Sequence, residues 1–252
     1  MEEIFQIVDL LNRSNCAVAL TGAGISTPSG IPDFRGPQGL WRRVDPNKFD
    51  ISHFFEDPDE VWRLFVSTFL PQYEVKPNPA HLALAELESM GKLCGVITQN
   101  IDGLHQKAGS KRVVEIHGSL RYAVCTNCGA RYPLGEVLAA YRGSAPKCKI
   151  CGGVLKPDVV FFGEPLPQDA LNEALLLAEL SDLFLVLGSS LAVAPANRLP
   201  LIAKRRGAKL VIINMGPTEL DDIADVVVKG RVEEILPKIV ESLKTGYLKG
   251  PF

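Results

Sequence analysis

The chain has 252 residues, 46% of them hydrophobic and 22% charged, with 27 Lys+Arg against 29 Asp+Glu for a net charge of −2. Such a composition excludes a disordered, low-complexity or collagen-like chain, and the length suits one large α/β domain with a smaller satellite. The near-neutral balance carries no electrostatic footprint of a dedicated nucleic-acid binder, no apolar run reaches the roughly 18 residues of a membrane span, and the acidic start Met1-Glu2-Glu3 is unlike a secretory leader, so a soluble cytoplasmic protein is expected.

Residues 3–13 place Ile4, Ile7, Val8 and Leu11 on one face at helical spacing. The apolar run 16–20 then ends in Thr21-Gly22-Ala23-Gly24, which predicts a buried strand entering a glycine turn. The same pattern recurs at 93–98, at 183–187 before Gly188-Ser189-Ser190, at 210–213 before Asn214, and at 224–228 before Lys229-Gly230. Helices are predicted over 81–90, 169–180 and 232–243. Continuous apolar strands alternating with helices imply a parallel sheet covered on both faces, whose ligands collect at the carboxyl ends of the strands. Those ends carry Thr-Gly-Ala-Gly, Thr-Gln-Asn-Ile-Asp, Gly-Ser-Ser and Asn-Met-Gly, all suited to a polar ligand.

Two stretches break this rhythm. Residues 28–80 are rich in Pro and aromatics, with one helix over 58–69, and residues 121–156 hold short Gly-punctuated segments. Both are expected to be insertions that together build a smaller lobe.

Cys16 and Cys94 stand singly in apolar runs and read as buried structural thiols. Cys125, Cys128, Cys148 and Cys151 form a C-x2-C-x19-C-x2-C pattern, inside the range of a closed four-thiolate zinc site. Two disulfides or two redox-active pairs are the alternatives. A reducing compartment disfavours the first, and the turn-rich setting disfavours the second.

Gly22-Ala23-Gly24-Ile25-Ser26-Thr27 is close to a dinucleotide fingerprint, but Thr27 stands where the third glycine belongs. No strand ends in an acid about 20 residues on, where a dehydrogenase holds its adenosine ribose. A glycine turn of this kind still suits a pyrophosphate, although the Pro32-Asp33-Phe34-Arg35 loop that follows speaks against simple hydride transfer.

In chain order, Gly22-Ala-Gly-Ile-Ser26, Gly30-Ile-Pro-Asp-Phe-Arg-Gly36, Thr98-Gln-Asn-Ile-Asp102, His117-Gly118, the cysteine quartet, Phe162-Gly-Glu164, Gly188-Ser-Ser190 and Asn214 resemble the sirtuins over essentially the whole chain. The resemblance implies an NAD-dependent protein lysine deacetylase of minimal, prokaryotic type. Its expected fold is a Rossmann-like large domain (1–35, 81–120 and 157–252) with a small domain of cofactor loop and helical module (36–80) and zinc module (121–156). It further implies that NAD is a co-substrate, that the metal is one structural zinc, and that the products are free lysine, nicotinamide and O-acetyl-ADP-ribose.

By the same resemblance, His117 is the general base that deprotonates a ribose hydroxyl, and Asn100 and Asp102 hold the ribose and carboxamide in a reactive pose. Gly22, Ala23, Gly24, Ser26, Asp33, Phe34, Arg35, Gln99 and Ile101 belong to the cofactor site, with Gly188, Ser189, Ser190, Asn214, Met215 and Lys229 toward the phosphates and adenosine. Val160, Phe161, Phe162, Gly163 and Glu164 on one side, and Leu191 and Val193 on the other, are expected to sandwich an acetyl-lysine peptide as an added strand. His53, His81 and His105 have no motif behind them and read as structural.

Sirtuins that take succinyl or malonyl groups carry Tyr-x-x-Arg in the helical module. The matching positions here are Phe65 and Thr68, which predicts a preference for neutral acyl groups. The competing readings are mono-ADP-ribosyl transfer and a zinc-ribbon binding module. Residues 121–156 do carry a local basic excess, but three tyrosines are a poor stacking surface, so nucleic acid is not expected as a primary ligand.

Overall fold

The structure is a computed structural model, and it describes residues 2–36, 39–70 and 75–246. Parts of the expected cofactor loop and helical module (37–38 and 71–74) and the tail after 246 lie outside those residues.

Six parallel strands form the main sheet: β1 (Ala17–Thr21), β2 (Gly95–Thr98), β3 (Val113–Glu115), β7 (Leu183–Leu187), β8 (Lys209–Asn214) and β9 (Val226–Lys229). Their order is β3-β2-β1-β7-β8-β9. Side chains alternate across a strand, so each buried strand feeds two cores. Ala17 and Ala19 of β1, with Leu183, Leu185 and Leu187 of β7, face α1 (Glu2–Arg13), α4 (Pro79–Ser89) and α9 (Val232–Thr245). Val18, Leu20, Phe184 and Val186 point the other way, against α7 (Gln168–Leu180) and α8 (Leu199–Arg205). Coverage on both faces is why these strands read as unbroken apolar runs rather than as alternating ones.

A second, antiparallel sheet joins β4 (Gly118–Cys125) to β5 (Arg131–Pro133) and β6 (Leu155–Val159). It shares a third core with α2 (Ile51–Glu56), α3 (Pro58–Phe69) and α6 (Leu134–Ala140), centred on Phe54, Trp62, Phe65 and Leu134. Trp62 satisfies its buried indole N–H on the carbonyl of Leu155, 2.7 Å away, and so fastens the helical segment to the cysteine-bearing sheet.

The expectation of separate thiols at Cys16 and Cys94 does not hold, because the two are joined in a disulfide and both are only partly buried. They stand immediately before β1 and β2, and the parallel register Val18↔Gly95 brings their Cα atoms to 5.3 Å. That separation lies within the range a disulfide requires.

Candidate active site

The chain turns back between β1 and β7, so the loops after these adjacent parallel strands diverge and leave a crevice, the expected ligand position in an open α/β sheet. Gly22 N–H donates to the Leu187 carbonyl at 3.2 Å, and Gly24 N–H to the Gly188 carbonyl at 2.9 Å. A Cβ on Gly22 would lie 2.8 Å from the Gly188 oxygen, and one on Gly24 would lie 2.7 Å from it. Both positions therefore require glycine, and the backbone forms a bare cradle against which a phosphate can approach closely.

Behind the cradle lies a buried polar network. Asn100 donates through Nδ2 to the Gly22 carbonyl (3.1 Å) and to Ser26 Oγ (3.0 Å). Ser26 Oγ in turn donates to Asp102 Oδ2 at 2.7 Å, while Asp102 Oδ1 accepts from Leu104 N–H, which opens α5 (Leu104–Ala108). Ser26 is fully buried and Asn100 nearly so, so this geometry is set by the fold before any ligand arrives. Gln99 Nε2 donates to Ser189 Oγ at 2.9 Å, linking the loop after β2 to the loop after β7.

His81 and His105, read from sequence as structural, stand directly behind this network. Their rings meet edge-on with centroids 4.9 Å apart. His81 Nε2 lies 3.4 Å from Ser26 Oγ, and His105 Nε2 lies 2.9 Å from Thr21 Oγ1. Burial pushes both imidazoles down, His81 to about 4 and His105 to about 3, so both are neutral at pH 7.

His117 follows β3 and reaches the same crevice. Its Nδ1 lies 2.9 Å from the carbonyl oxygen of Gln99. A carbonyl can only accept, so Nδ1 carries the proton and Nε2 keeps its lone pair. Burial holds the His117 pKa below its ordinary value, against the opposing pull of the Gln99 hydrogen bond. The result is a neutral, oriented imidazole with one free basic nitrogen.

A cavity of about 910 Å³ collects all the expected cofactor and substrate residues except Lys229 and Leu191, and His117 with them. Lys229 ends β9 in register with Asn214 and lies outside the lining. Its place is taken by Gly230, Arg231, Val232 and Glu233 at the start of α9. The glycine after an apolar run, the signal that marks Gly22 and Gly188, was present at Gly230 too. Leu191 is buried on the far side of its loop and lines a separate cavity of about 220 Å³.

On the expected peptide edge, Phe161 is 4% exposed and packs in the small-lobe core. Phe162 donates its N–H to the Phe49 carbonyl, and its own carbonyl accepts from Ile51 N–H, so its main chain is already paired. Both polar backbone groups of Gly163, and the N–H of Val193, have no hydrogen-bond partner among the described residues. Phe65 and Thr68 do not line the cavity. Phe65 lies in the small-lobe core, and the helical segment presents Leu40, Trp41, Phe49 and Phe69 instead.

The four cysteines of the quartet come together. Their sulfurs all lie within 4.8 Å of one another, with Cys125–Cys151 at 3.4 Å and Cys128–Cys148 at 3.6 Å. A tetrahedral zinc with sulfurs at about 2.3 Å separates them by about 3.8 Å, so the set fits that ion. Amides of Asn127 and Cys128 point at Cys125 Sγ, and Ile150 N–H and the Tyr132 hydroxyl point at Cys148 Sγ. The Tyr132 contact leads in holding the Cys148 thiol at about 6. At Cys128 the Ala130 amide favours the thiolate, yet the three neighbouring sulfurs carry the thiol up to about 12. Four thiolates in this space require a cation.

Comparison with known proteins agrees with this geometry. The Sir2 family model matches residues 22–195. NAD-dependent protein deacetylase 1 of Pyrobaculum aerophilum is 64% identical over 243 residues, covering 96% of this chain and 96% of that protein. Two solved structures superpose closely. One is a Sir2 complex with deacetylated p53 peptide and 3'-O-acetyl-ADP-ribose, with a TM-score of 0.91, 47% identity and coverage of 95% of this chain and 98% of that one. The other is a Sir2 complex with p53 peptide and NAD+, with a TM-score of 0.88, 46% identity and coverage of 96% and 98%. The glycine cradle, the imidazole set on a carbonyl and the cysteine quartet thus occur together in a chain that belongs to the Sir2 family, the sirtuins.

Proposed function

We propose that this chain is an NAD-dependent protein lysine deacetylase, releasing free lysine, nicotinamide and O-acetyl-ADP-ribose. The observation that carries the reading is His117, a neutral imidazole fixed by Gln99 with Nε2 free, in one cavity with Asn100, Asp102 and the Gly22–Gly24 cradle. When bound, NAD supplies the activated ribose carbon that receives the acyl oxygen.

The chain's own residues divide the remaining work. Gly22, Ala23 and Gly24 seat the pyrophosphate against bare backbone, with Gly188, Ser189, Ser190, Asn214 and Met215 toward the adenosine end. Ser26 locks Asn100 and Asp102, which orient the nicotinamide half of the ligand together with Asp33, Gln99 and Ile101. Phe34 covers the reacting centre and excludes water, and exposed Arg35 reaches the phosphates. His117 Nε2 takes a proton from a ribose hydroxyl, and the resulting imidazolium keeps its Nδ1–H on the Gln99 carbonyl.

The peptide lies between Gly163 and Val193, whose free backbone groups can pair with an added strand. Its acyl group enters a mouth lined by Leu40, Trp41, Phe49 and Phe69, an apolar surface that favours neutral acyl chains over carboxylated ones. The division into a large domain (1–35, 81–120 and 157–252), a helical module (36–80) and a zinc module (121–156) belongs to the same reading. So does a cytoplasmic setting. Among the described residues no helix is long and apolar enough to cross a membrane.

The test is nicotinamide release by purified protein with NAD, in the presence and absence of an acetyl-lysine peptide. Release that depends on the peptide is expected. Release without it, with ADP-ribose left on protein, would replace deacetylation with ADP-ribosyl transfer.

A further inference from the structure

The segment that closes the peptide side of the cavity leaves β6 at Val159 and turns through Val160–Glu164. Three attachments fix it. Val160 N–H donates to the His117 carbonyl at 2.9 Å, on the large lobe. Phe162 pairs with Phe49 and Ile51 of the helical segment. The third attachment is a lysine with no place in the reaction described above.

Lys156 is the second residue of β6, and its side chain is only 13% exposed. Its Nζ donates to Glu164 Oε2 (3.0 Å) and to the carbonyls of Val159 (2.7 Å) and Pro157 (3.1 Å). The ammonium also sits 4.5 Å from the centre of the Phe161 ring. An ammonium has three hydrogens, so its donor capacity is fully used. The same Glu164 oxygen accepts from Phe161 N–H at 2.7 Å, while Glu164 N–H donates to the Phe161 carbonyl at 3.1 Å.

The carboxylate therefore closes the turn over Gly163, and the ammonium holds the carboxylate. Burying such a charge is costly unless it is fully partnered, and among the described residues every partner belongs to residues 157–164, none to the rest of the small lobe. A lysine serving only the stability of the zinc module would spend its contacts within that module.

We propose that Lys156 is a positioning residue for peptide substrate, acting through Glu164. Together the two side chains form a clamp that holds the Val160–Glu164 edge at a fixed distance from the Val193 side. The clamp also ties this edge to the zinc site, because β6 continues the chain from Cys151 and pairs with the strand that ends at Cys125. This inference rests on the proposed seating of the peptide between Gly163 and Val193.

The test uses Lys156→Met, which keeps the aliphatic stem, Glu164→Gln, which keeps the shape, and the double variant. Steady-state constants are measured separately against acetyl-peptide and NAD, alongside zinc content and unfolding midpoint. Each single variant is expected to raise the peptide KM about tenfold, while kcat and the KM for NAD stay within about twofold. The double variant should be no worse than the worse single one, because both changes break one unit. Should Lys156→Met fail to retain zinc, Glu164→Gln decides alone.

An unchanged peptide KM in the single variants, multiplying effects in the double variant, or peptide and NAD constants that move together would each overturn the clamp. A peptide N-methylated at a backbone amide beside the acetyl-lysine, tested on the unaltered enzyme, separates the two levels. Weaker binding of that peptide is expected. If it binds as well as its parent, the seating itself is wrong, whatever the variants do.

Discussion

His117 Nδ1 and the carbonyl oxygen of Gln99 lie 2.9 Å apart, and this contact decides which nitrogen can do chemistry. Because the carbonyl fixes the proton on Nδ1, the basic lone pair is on Nε2 before substrate binds.

The pH profile of kcat/KM reports this arrangement. Burial lowers the His117 pKa, so the base is already neutral at a pH where a free imidazole is half charged. Activity should rise with pH along a limb whose midpoint lies below the ordinary histidine value of about 6.5 and should be level above it. A limb centred above that value would contradict the assignment.

Ser26 is predicted to support turnover despite offering no charge. Its hydroxyl accepts from Asn100 and donates to Asp102, so Ser26→Ala leaves both groups misaligned in a buried site. Leaving these buried groups unpaired costs about 1–3 kcal/mol of stability, so the unfolding midpoint should fall, and the misplaced Asn100 and Asp102 should lower kcat/KM by at least about tenfold under conditions where the variant is still folded. Steady-state kinetics with a thermal melt would check this.

Gly24→Ala tests the cradle. The added methyl would meet the Gly188 oxygen at 2.7 Å, backbone against backbone, with no flexible side chain to yield. The loops after β1 and β7 must separate, and the KM for NAD should rise at least about tenfold while peptide affinity changes much less. Equal NAD affinity in the variant would remove the cradle from the binding site.

How far the sequence alone reveals this molecule depends on burial and length. The runs that became β1, β7 and β8 are legible because both of their faces are covered, which leaves no polar residue to break the pattern. β3 has three residues and α5 has five, too few for any periodicity to emerge, and neither could be read. The Cys16–Cys94 bond depended on the register of two strands 78 residues apart, which no local pattern encodes. The site was legible where motifs crowd the strand ends, as at Gly22–Ser26 and Gln99–Asp102. Its remaining lining, Gly230–Glu233 and Phe69, comes from elements that meet only in the fold. His81 and His105 stand in the core, as a structural reading expects, but their contacts with Ser26 and Thr21 join segments far apart in the chain, which no local pattern encodes.

Those two histidines predict a stability profile. Both are neutral in the folded protein, with pKa values near 4 and 3, and regain the ordinary value of about 6.5 on unfolding. Below pH 6.5 the unfolded state binds the extra protons, so stability is full above that pH and falls as pH drops toward 4. The slope reaches up to about 1.4 kcal/mol per pH unit for each histidine. Denaturant melts between pH 7.5 and 4.5 should show the decline, and His105→Asn should make it shallower, leaving the part that belongs to His81. A slope unchanged by that substitution would be evidence against the buried neutral pair.

The quartet should bind one zinc per chain, and Cys128→Ser should lose it. Four thiolates hold a structural zinc by about 10 kcal/mol or more, so the small lobe should loosen and turnover fall at least about 100-fold. Elemental analysis with an activity assay settles this, and full activity in a zinc-free variant would be incompatible with the structural role.

The most direct test of the central claim is mass spectrometry of a reaction containing the purified protein, NAD and an acetyl-lysine peptide, run beside His117→Ala. Deacetylated peptide, nicotinamide and O-acetyl-ADP-ribose should form in equal amounts, only with NAD present, and the three together should be lost in the variant. Undiminished product from His117→Ala, or nicotinamide with no O-acetyl-ADP-ribose, would contradict it.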